Sequence, residues 1–119
     1  MANVDRQPGQ RSEVLQGTLE MLALKLLTAE PMHGWGLSLK LRELSRDVFD
    51  VNQGSLYPAL HRLEQRGWLK AKWKQSETGR EAKFYSLTAA GRLQLTEERN
   101  SWARLAGAVQ LIFDEGSGS

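Results

Sequence analysis

A mainly helical fold with one small β-hairpin and a long C-terminal helix is what the sequence predicts, and three observations predict it. Leucines recur at the 3.6-residue helical period in successive segments. One stretch, residues 69–74, switches to period 2, the mark of a half-buried strand. The last periodic stretch, residues 89–113, would run about 37 Å as a helix, longer than so small a domain needs to cover its own core.

The chain has 119 residues and fits one domain with a single core. Its net charge of +2 argues against a purely electrostatic binder but permits a local basic patch. There is no cysteine, which excludes disulfides, zinc fingers and thiol chemistry. His33 and His61 lie far apart and lack metal-ligand spacing, so no metal or other cofactor is expected. No nucleophile–base pattern joins Ser38 or Ser55 to these histidines, and no paired acids suggest a cleft, so an enzyme is not expected. With no secretory signal and no membrane-length apolar run, a cytoplasmic protein is expected.

In chain order, residues 1–12 are polar around Pro8-Gly9 and read as a flexible arm. Leu15, Leu19, Leu22 and Leu26, widened by Ala23, Leu24 and Leu27, make a first helix that is apolar on most sides and belongs to the core. Pro31 closes it. His33-Gly34-Trp35-Gly36 opens a second helix with the stripe Leu37, Leu41 and Leu44. Two glycines there cost helix stability and suggest close approach of another backbone or of Trp35, which reads first as a core aromatic and second as a ligand contact. Val48, Phe49 and Val51 anchor the connector that follows.

The third helix carries Leu56, Leu60 and Leu63 inward and Gln53, Ser55, Tyr57, His61, Arg62 and Arg66 on its other faces. Asp50 or Asn52 supplies its N-cap, and Gly67 marks its end. Pro58 requires either a late start near Ser55 or one missing hydrogen bond. Residues 69–74 alternate apolar side chains with three lysines; residues 75–82 read as a long polar turn, and residues 83–87 as the returning strand. The hairpin should lean on the helices through Leu69, Ala71, Trp73, Tyr85 and Leu87, because an isolated hairpin is marginal. Thr88 caps the last helix, whose second half lines up Leu95, Trp102, Leu105, Ala106, Val109, Ile112 and Phe113. An exposed apolar stripe of that size marks an interface. Residues 114–119 read as a disordered tail.

Helix, helix, connector, helix, hairpin, long helix is the order of a winged helix-turn-helix, in which the second helix of the pair enters the major groove. Between His61 and Lys83 seven cations face three acids, an excess of four against +2 for the whole chain. The basic excess thus falls where DNA would lie, which favours a DNA binder over a winged-helix protein-interaction module without DNA binding.

The runs Gly54–Glu64, with Ser-Leu-Tyr-Pro-Ala-Leu at its heart, His33–Leu37, Gly67–Leu69 and Lys83–Gly91, with Tyr-Ser-Leu-Thr-Ala-Ala-Gly, together resemble PadR-family transcriptional regulators, over about residues 14–113. Trp35 stands where the family more often has tyrosine, and the single C-terminal helix resembles the small subfamily. The resemblance implies a homodimeric, sequence-specific repressor on a near-palindromic operator. It also implies a dimer in which the C-terminal helix packs on the partner's N-terminal helix, through Leu15, Leu19, Leu95, Trp102, Leu105, Val109, Ile112 and Phe113. The chain then divides into an arm (1–12), a DNA-binding domain (13–88), a dimerisation helix (89–113) and a tail (114–119).

Side-chain chemistry distributes the DNA contacts. Asn52, Gln53 and Ser55 sit at the end that reaches base edges, the amides suiting adenine. Tyr57 and Pro58 resemble family positions against the DNA backbone, and His61 and Arg62 suit phosphate. Lys74, Thr78, Gly79, Arg80 and Lys83 are the wing's candidates for phosphate or minor groove, while Lys70 and Lys72 read as a solvated face. Some relatives hold planar aromatic effectors at the dimer centre, which makes Trp102, and less directly Trp35, candidate effector contacts; a packed interface tryptophan is the plainer reading of Trp102.

Overall fold

The computed structural model of the protein describes residues 8–116, with side chains described from residue 17 onward. Its elements are α1 (Pro8–Leu26), β1 (Met32–His33), α2 (Gly34–Leu44), α3 (Gln53–Gln65), β2 (Leu69–Gln75), β3 (Glu81–Leu87) and α4 (Ala89–Glu115). The strands form one antiparallel sheet in the order β1-β3-β2. The fold is mainly helical with a small sheet, as the periodicities predict, but the sheet has three strands and not two. β1 pairs Met32 with Tyr85 and His33 with Phe84. Two residues between a proline and a glycine are too few to show a period.

The core is a leucine cluster shared by α1, α2 and α3. Leu24, Leu37, Leu56, Leu60 and Leu63 are fully buried, and each such side chain is worth about 1.5–3 kcal/mol of transfer free energy. Leu69 and Tyr85 close the cluster from the sheet. In the sheet register Leu69 faces Leu87 and Ala71 faces Tyr85, so one side of the hairpin meets the helices near its base. Trp73, two residues further along β2, is 63% exposed because the strands have run past the helical body. It does not prop the hairpin as the alternation predicts. Trp35 is also no core aromatic. The buried face of α2 is Gly34, Leu37, Ser38 and Leu41, and Trp35 points off it. Leu44 also lies off that face, and Val48, in the connector beyond the helix, is exposed, while Phe49 and Val51 pack on the core.

Helix ends explain the turns. Asn52 caps α3, its Oδ1 accepting from the Ser55 amide at 2.9 Å. The helix therefore starts at Gln53, and Pro58 is tolerated inside it with its ring exposed and one hydrogen bond absent. At the other end Gly67 has φ +81°, the Gly67 amide donates to Glu64 and the Trp68 amide to Leu63, a Schellman closure. The same closure ends α2 without glycine: Arg46 and Asp47 take φ +53° and +70°, and their amides donate to Glu43 and Arg42. The wing turn is shorter than predicted. Gln75 still pairs with Glu81, and the Gly79 amide, at φ +87°, donates to Ser76 in a tight loop.

α1 begins at Pro8, so helix occupies the end of the segment read as an arm over residues 1–12; residues 1–7 and 117–119 lie outside the described residues. Proline suits a first helical position, where its missing amide hydrogen costs nothing. α4 continues to Glu115, two residues past its predicted end. At 27 residues it spans about 40 Å. Its root sits on the turn after α3: the Thr88 hydroxyl donates to the Gly67 carbonyl at 2.7 Å and accepts from the Gly91 amide. Leu95 packs on the core, whereas Leu105, Val109, Ile112 and Phe113 are exposed. The described residues extend 59 × 38 × 26 Å with a radius of gyration of 16.7 Å, against about 13–14 Å for a compact chain of this length. The excess is α4.

Two groups in the sheet set a pH limit on this fold. Burial pushes the Tyr85 hydroxyl above its ordinary value of 10.0, and the Glu64 carboxylate, 3.0 Å from the Lys83 ammonium, raises Lys83 above 10.5. Both are raised in the folded state, so their contributions are complete below pH 10 and are lost as pH climbs through the folded values. Urea midpoints should hold steady from pH 8 to 10 and fall beyond it, with a shallower fall in Tyr85→Phe.

Candidate nucleic-acid interface

The outward face of α3 carries Gly54, Ser55, Tyr57, Pro58 and His61, all exposed. Its inward face is the leucine set, so the helix is seated by apolar contact and presents small and hydrogen-bonding tips. Two of the predicted base readers have other work. Asn52 uses its carbonyl oxygen as the cap. Gln53 turns toward α2, where its Nε2 donates to the Ser38 hydroxyl at 3.1 Å, and Ser38 in turn donates to the Trp35 carbonyl at 2.8 Å. The Gln53 Oε1 is buried with no hydrogen-bond partner. Gln53 thus joins the two helices of the pair and does not extend toward a groove.

Two predicted phosphate contacts, Arg62 and Lys83, are likewise engaged by acids of the same chain. The Arg62 Nε meets the Glu20 carboxylate at 2.8 Å, and Arg66 meets the same carboxylate at 3.3 Å. α1 therefore braces the C-terminal half of α3 through one acid. Lys83 is held by Glu64. These pairs rest on residues far apart in sequence, which no local pattern reveals.

Arg80 is exposed at the wing's end and has no ion pair among the described residues. Thr78 and Gly79 sit beside it, with the Thr78 and Ser76 hydroxyls 3.0 Å apart. Lys74 lies with its ammonium 4.5 Å from the Phe84 ring centre. Lys70, Lys72 and Lys74 share one side of β2 and are all exposed.

The wing and α3 are not separate. A Cβ added at Gly34 would come 2.7 Å from Tyr57 Cε1 and 3.0 Å from Gln53 Oε1, so the start of α2 lies directly against the reading helix. One residue earlier, His33 Nε2 faces Glu77 of the wing loop at 3.5 Å. Glu77 is held below its ordinary carboxylate value, first by a backbone amide and then by His33. The β1–α2 junction therefore touches both predicted DNA-contacting elements. Trp35 adds an exposed indole to a groove between α2 and the start of α3, shared with Ser38, Asn52 and Gln53. Its exposure was hidden by its size, which reads as core.

At the other end of the molecule a groove of about 570 Å³ separates α1 from α4, lined by Met21, Leu22, Leu95, Arg99 and Trp102 among others. Trp102 is 49% exposed. Leu19 is buried within its own chain, and the Leu15 side chain lies outside those described.

The model of the transcriptional regulator PadR-like family matches residues 23–97. The chain belongs to this family. The match runs from the last turn of α1 through the helix pair and wing into the first third of α4. The transcriptional regulator Rv3488 of Mycobacterium tuberculosis is 42% identical over 78 residues, 66% of this chain and 69% of that protein. A PadR-like transcription factor from Bacteroides fragilis has a solved structure that superposes with a TM-score of 0.72 at 34% identity, covering 87% of this chain and 98% of that one. A PadR family regulator from Eggerthella lenta gives 0.76 at 29% identity, covering 98% and 99%. PadR-like proteins are regulators of transcription and not enzymes, so the face built by α3 and the wing is the PadR-like chain's candidate DNA surface. Among the described residues no helix is long and apolar enough to cross a membrane.

Proposed function

We propose that this PadR-like chain is a homodimeric, sequence-specific DNA-binding repressor of a near-palindromic operator, released by a small aromatic effector. The observation that carries the DNA reading is that one junction touches both the exposed, hydrogen-bonding α3 face, at Tyr57, and the wing loop, at Glu77, the same loop holding an arginine with no ion pair among the described residues. Ser55 and the remaining amide of Asn52 lie nearest base edges; Tyr57, Pro58, His61, Lys74, Thr78, Gly79 and Arg80 meet the DNA backbone. Gln53, Arg62 and Lys83 keep a supporting role, orienting α3 and β3 rather than touching DNA.

The exposed stripe of α4 supports the dimer, since apolar area on that scale is normally covered, and a second copy of α1 and α4 would cover it. Two-fold symmetry would set the α3 helices about 34 Å apart, one DNA turn. Repression then needs only occupancy, because a dimer spanning that distance excludes other proteins from the operator. The half-exposed Trp102 beside the α1–α4 groove supports the effector reading.

Arg80→Ala is expected to weaken binding to all duplexes alike and to lower the salt slope by about one, since each phosphate contact contributes about 0.9. Ser55→Ala should instead alter preference at particular base pairs. Selecting duplexes from a random pool with each variant, then titrating them across salt, checks both. A wild-type chain whose duplex binding shows no salt dependence would be a protein-interaction module.

A further inference from the structure

The His33 side chain carries three engagements at once. The residue ends β1, and its side chain caps α2, the Nδ1 accepting from the Gly36 amide at 3.0 Å. Its ring meets Phe84 of β3 edge-on, with centroids 4.9 Å apart. Its Nε2 faces the Glu77 carboxylate at 3.5 Å. Because Nδ1 accepts, Nε2 is the ring nitrogen left to carry the proton, and it is the atom that approaches Glu77. The His33 side chain is 13% exposed and Glu77 80% exposed, so the first is fixed by its surroundings and the second would otherwise swing freely at the end of the hairpin.

We infer that His33 is a positioning residue for DNA recognition: it fixes the wing loop against the start of α2, and so sets Arg80 in register with the α3 face. The inference rests on the DNA reading above and assigns a further residue to it. A two-stranded wing that has run past the helical body has few other restraints. Trp73 is exposed, and the Lys83–Glu64 pair holds the strand below the loop. The loop's own hydrogen bonds, from Ser76 to Arg80 and from Gly79 to Ser76, shape it, and the His33–Glu77 contact is what ties it to the start of α2. It also draws a carboxylate toward α2, away from the phosphates that Arg80 would meet.

The test is non-additivity with Arg80. His33→Asn keeps a good N-cap acceptor but has neither the ring for Phe84 nor the length for Glu77. Glu77→Ala cuts the same link from the exposed side, where the fold has little at stake. Binding to a random-sequence duplex is measured across salt for wild type, Arg80→Ala, each link variant and each double. In wild type Arg80→Ala should lower the slope by about 0.9. With either link variant that step should shrink to less than half, and the two link variants combined should do no more than one alone. A merely structural His33 would weaken all binding and leave the Arg80 step whole, which overturns the inference. So does an Arg80→Ala that leaves the wild-type slope unchanged while the duplex still binds. Absent salt-dependent binding by wild type, the DNA reading fails first.

Discussion

Placing a methyl group at Gly91 is expected to be the most destabilising single change in the chain. Gly91 is buried in the first turn of α4. A Cβ there would overlap the Trp68 carbonyl oxygen, and would lie 2.7 Å from Leu87 Cδ1 and 3.0 Å from the Trp68 carbonyl carbon. The obstructing group is backbone, so no rotamer change relieves it. Trp68 is fixed in turn, since its amide donates to Leu63 and its carbonyl accepts from Thr88. Moving α4 away would break the Thr88 contacts that seat it. Overpacking of this kind costs about 1–3 kcal/mol and more when backbone must shift, and Gly91→Ala should reach at least the upper end. For a domain of this size that is a fall of roughly 10 °C or more in Tm. Gly107 in the same helix has open space around it, so Gly107→Ala should leave Tm unchanged or raise it. Differential scanning calorimetry of the two variants at one protein concentration makes the comparison.

Charge placed in the outer half of α4 is expected to have the largest effect on function. Val109 and Ile112 are 45% and 76% exposed, so aspartates there do little harm to the isolated chain. In the proposed dimer they would be buried without partners, which costs several kcal/mol for each unpaired charge. The double variant Val109→Asp/Ile112→Asp should sediment as a folded monomer. Two linked half-sites gain about 10²–10⁴ in avidity over one, so operator affinity should fall by at least a hundredfold while the circular dichroism stays helical. A variant that still sediments as a dimer would place the interface elsewhere.

The elements that depend on local pattern were legible in the sequence. Leucine period located α2 and α3, lysine alternation located β2, and Asn52, Gly67 and Thr88 marked helix ends through chemistry that acts within four residues. What was not legible depends on groups brought together from distant positions. Glu20 claims Arg62 and Arg66 across more than forty residues, and Glu64 claims Lys83. Gln53 looked like a base reader because its type suits adenine, yet Ser38 holds it. β1 exists only because β3 offers Phe84 and Tyr85 as partners. Trp35 misled by its size, and Trp73 by the alternation of its strand. A tryptophan is read as core unless helix phase or strand overhang is known, and both are set by tertiary packing. The candidate site was therefore legible as a region, while the division between contacting and bracing side chains was not.

α4 is a single unbroken helix rooted at one end, which makes it a rotational ruler. Inserting one residue beyond Leu95 would turn everything distal by about 100° and advance it by 1.5 Å, whereas inserting seven would nearly restore its phase. If two copies meet along that distal half, the angle between their reading helices, and with it the spacing of half-sites that fits both, is set by helix length. Changes in length there would alter operator choice without touching any residue that faces DNA.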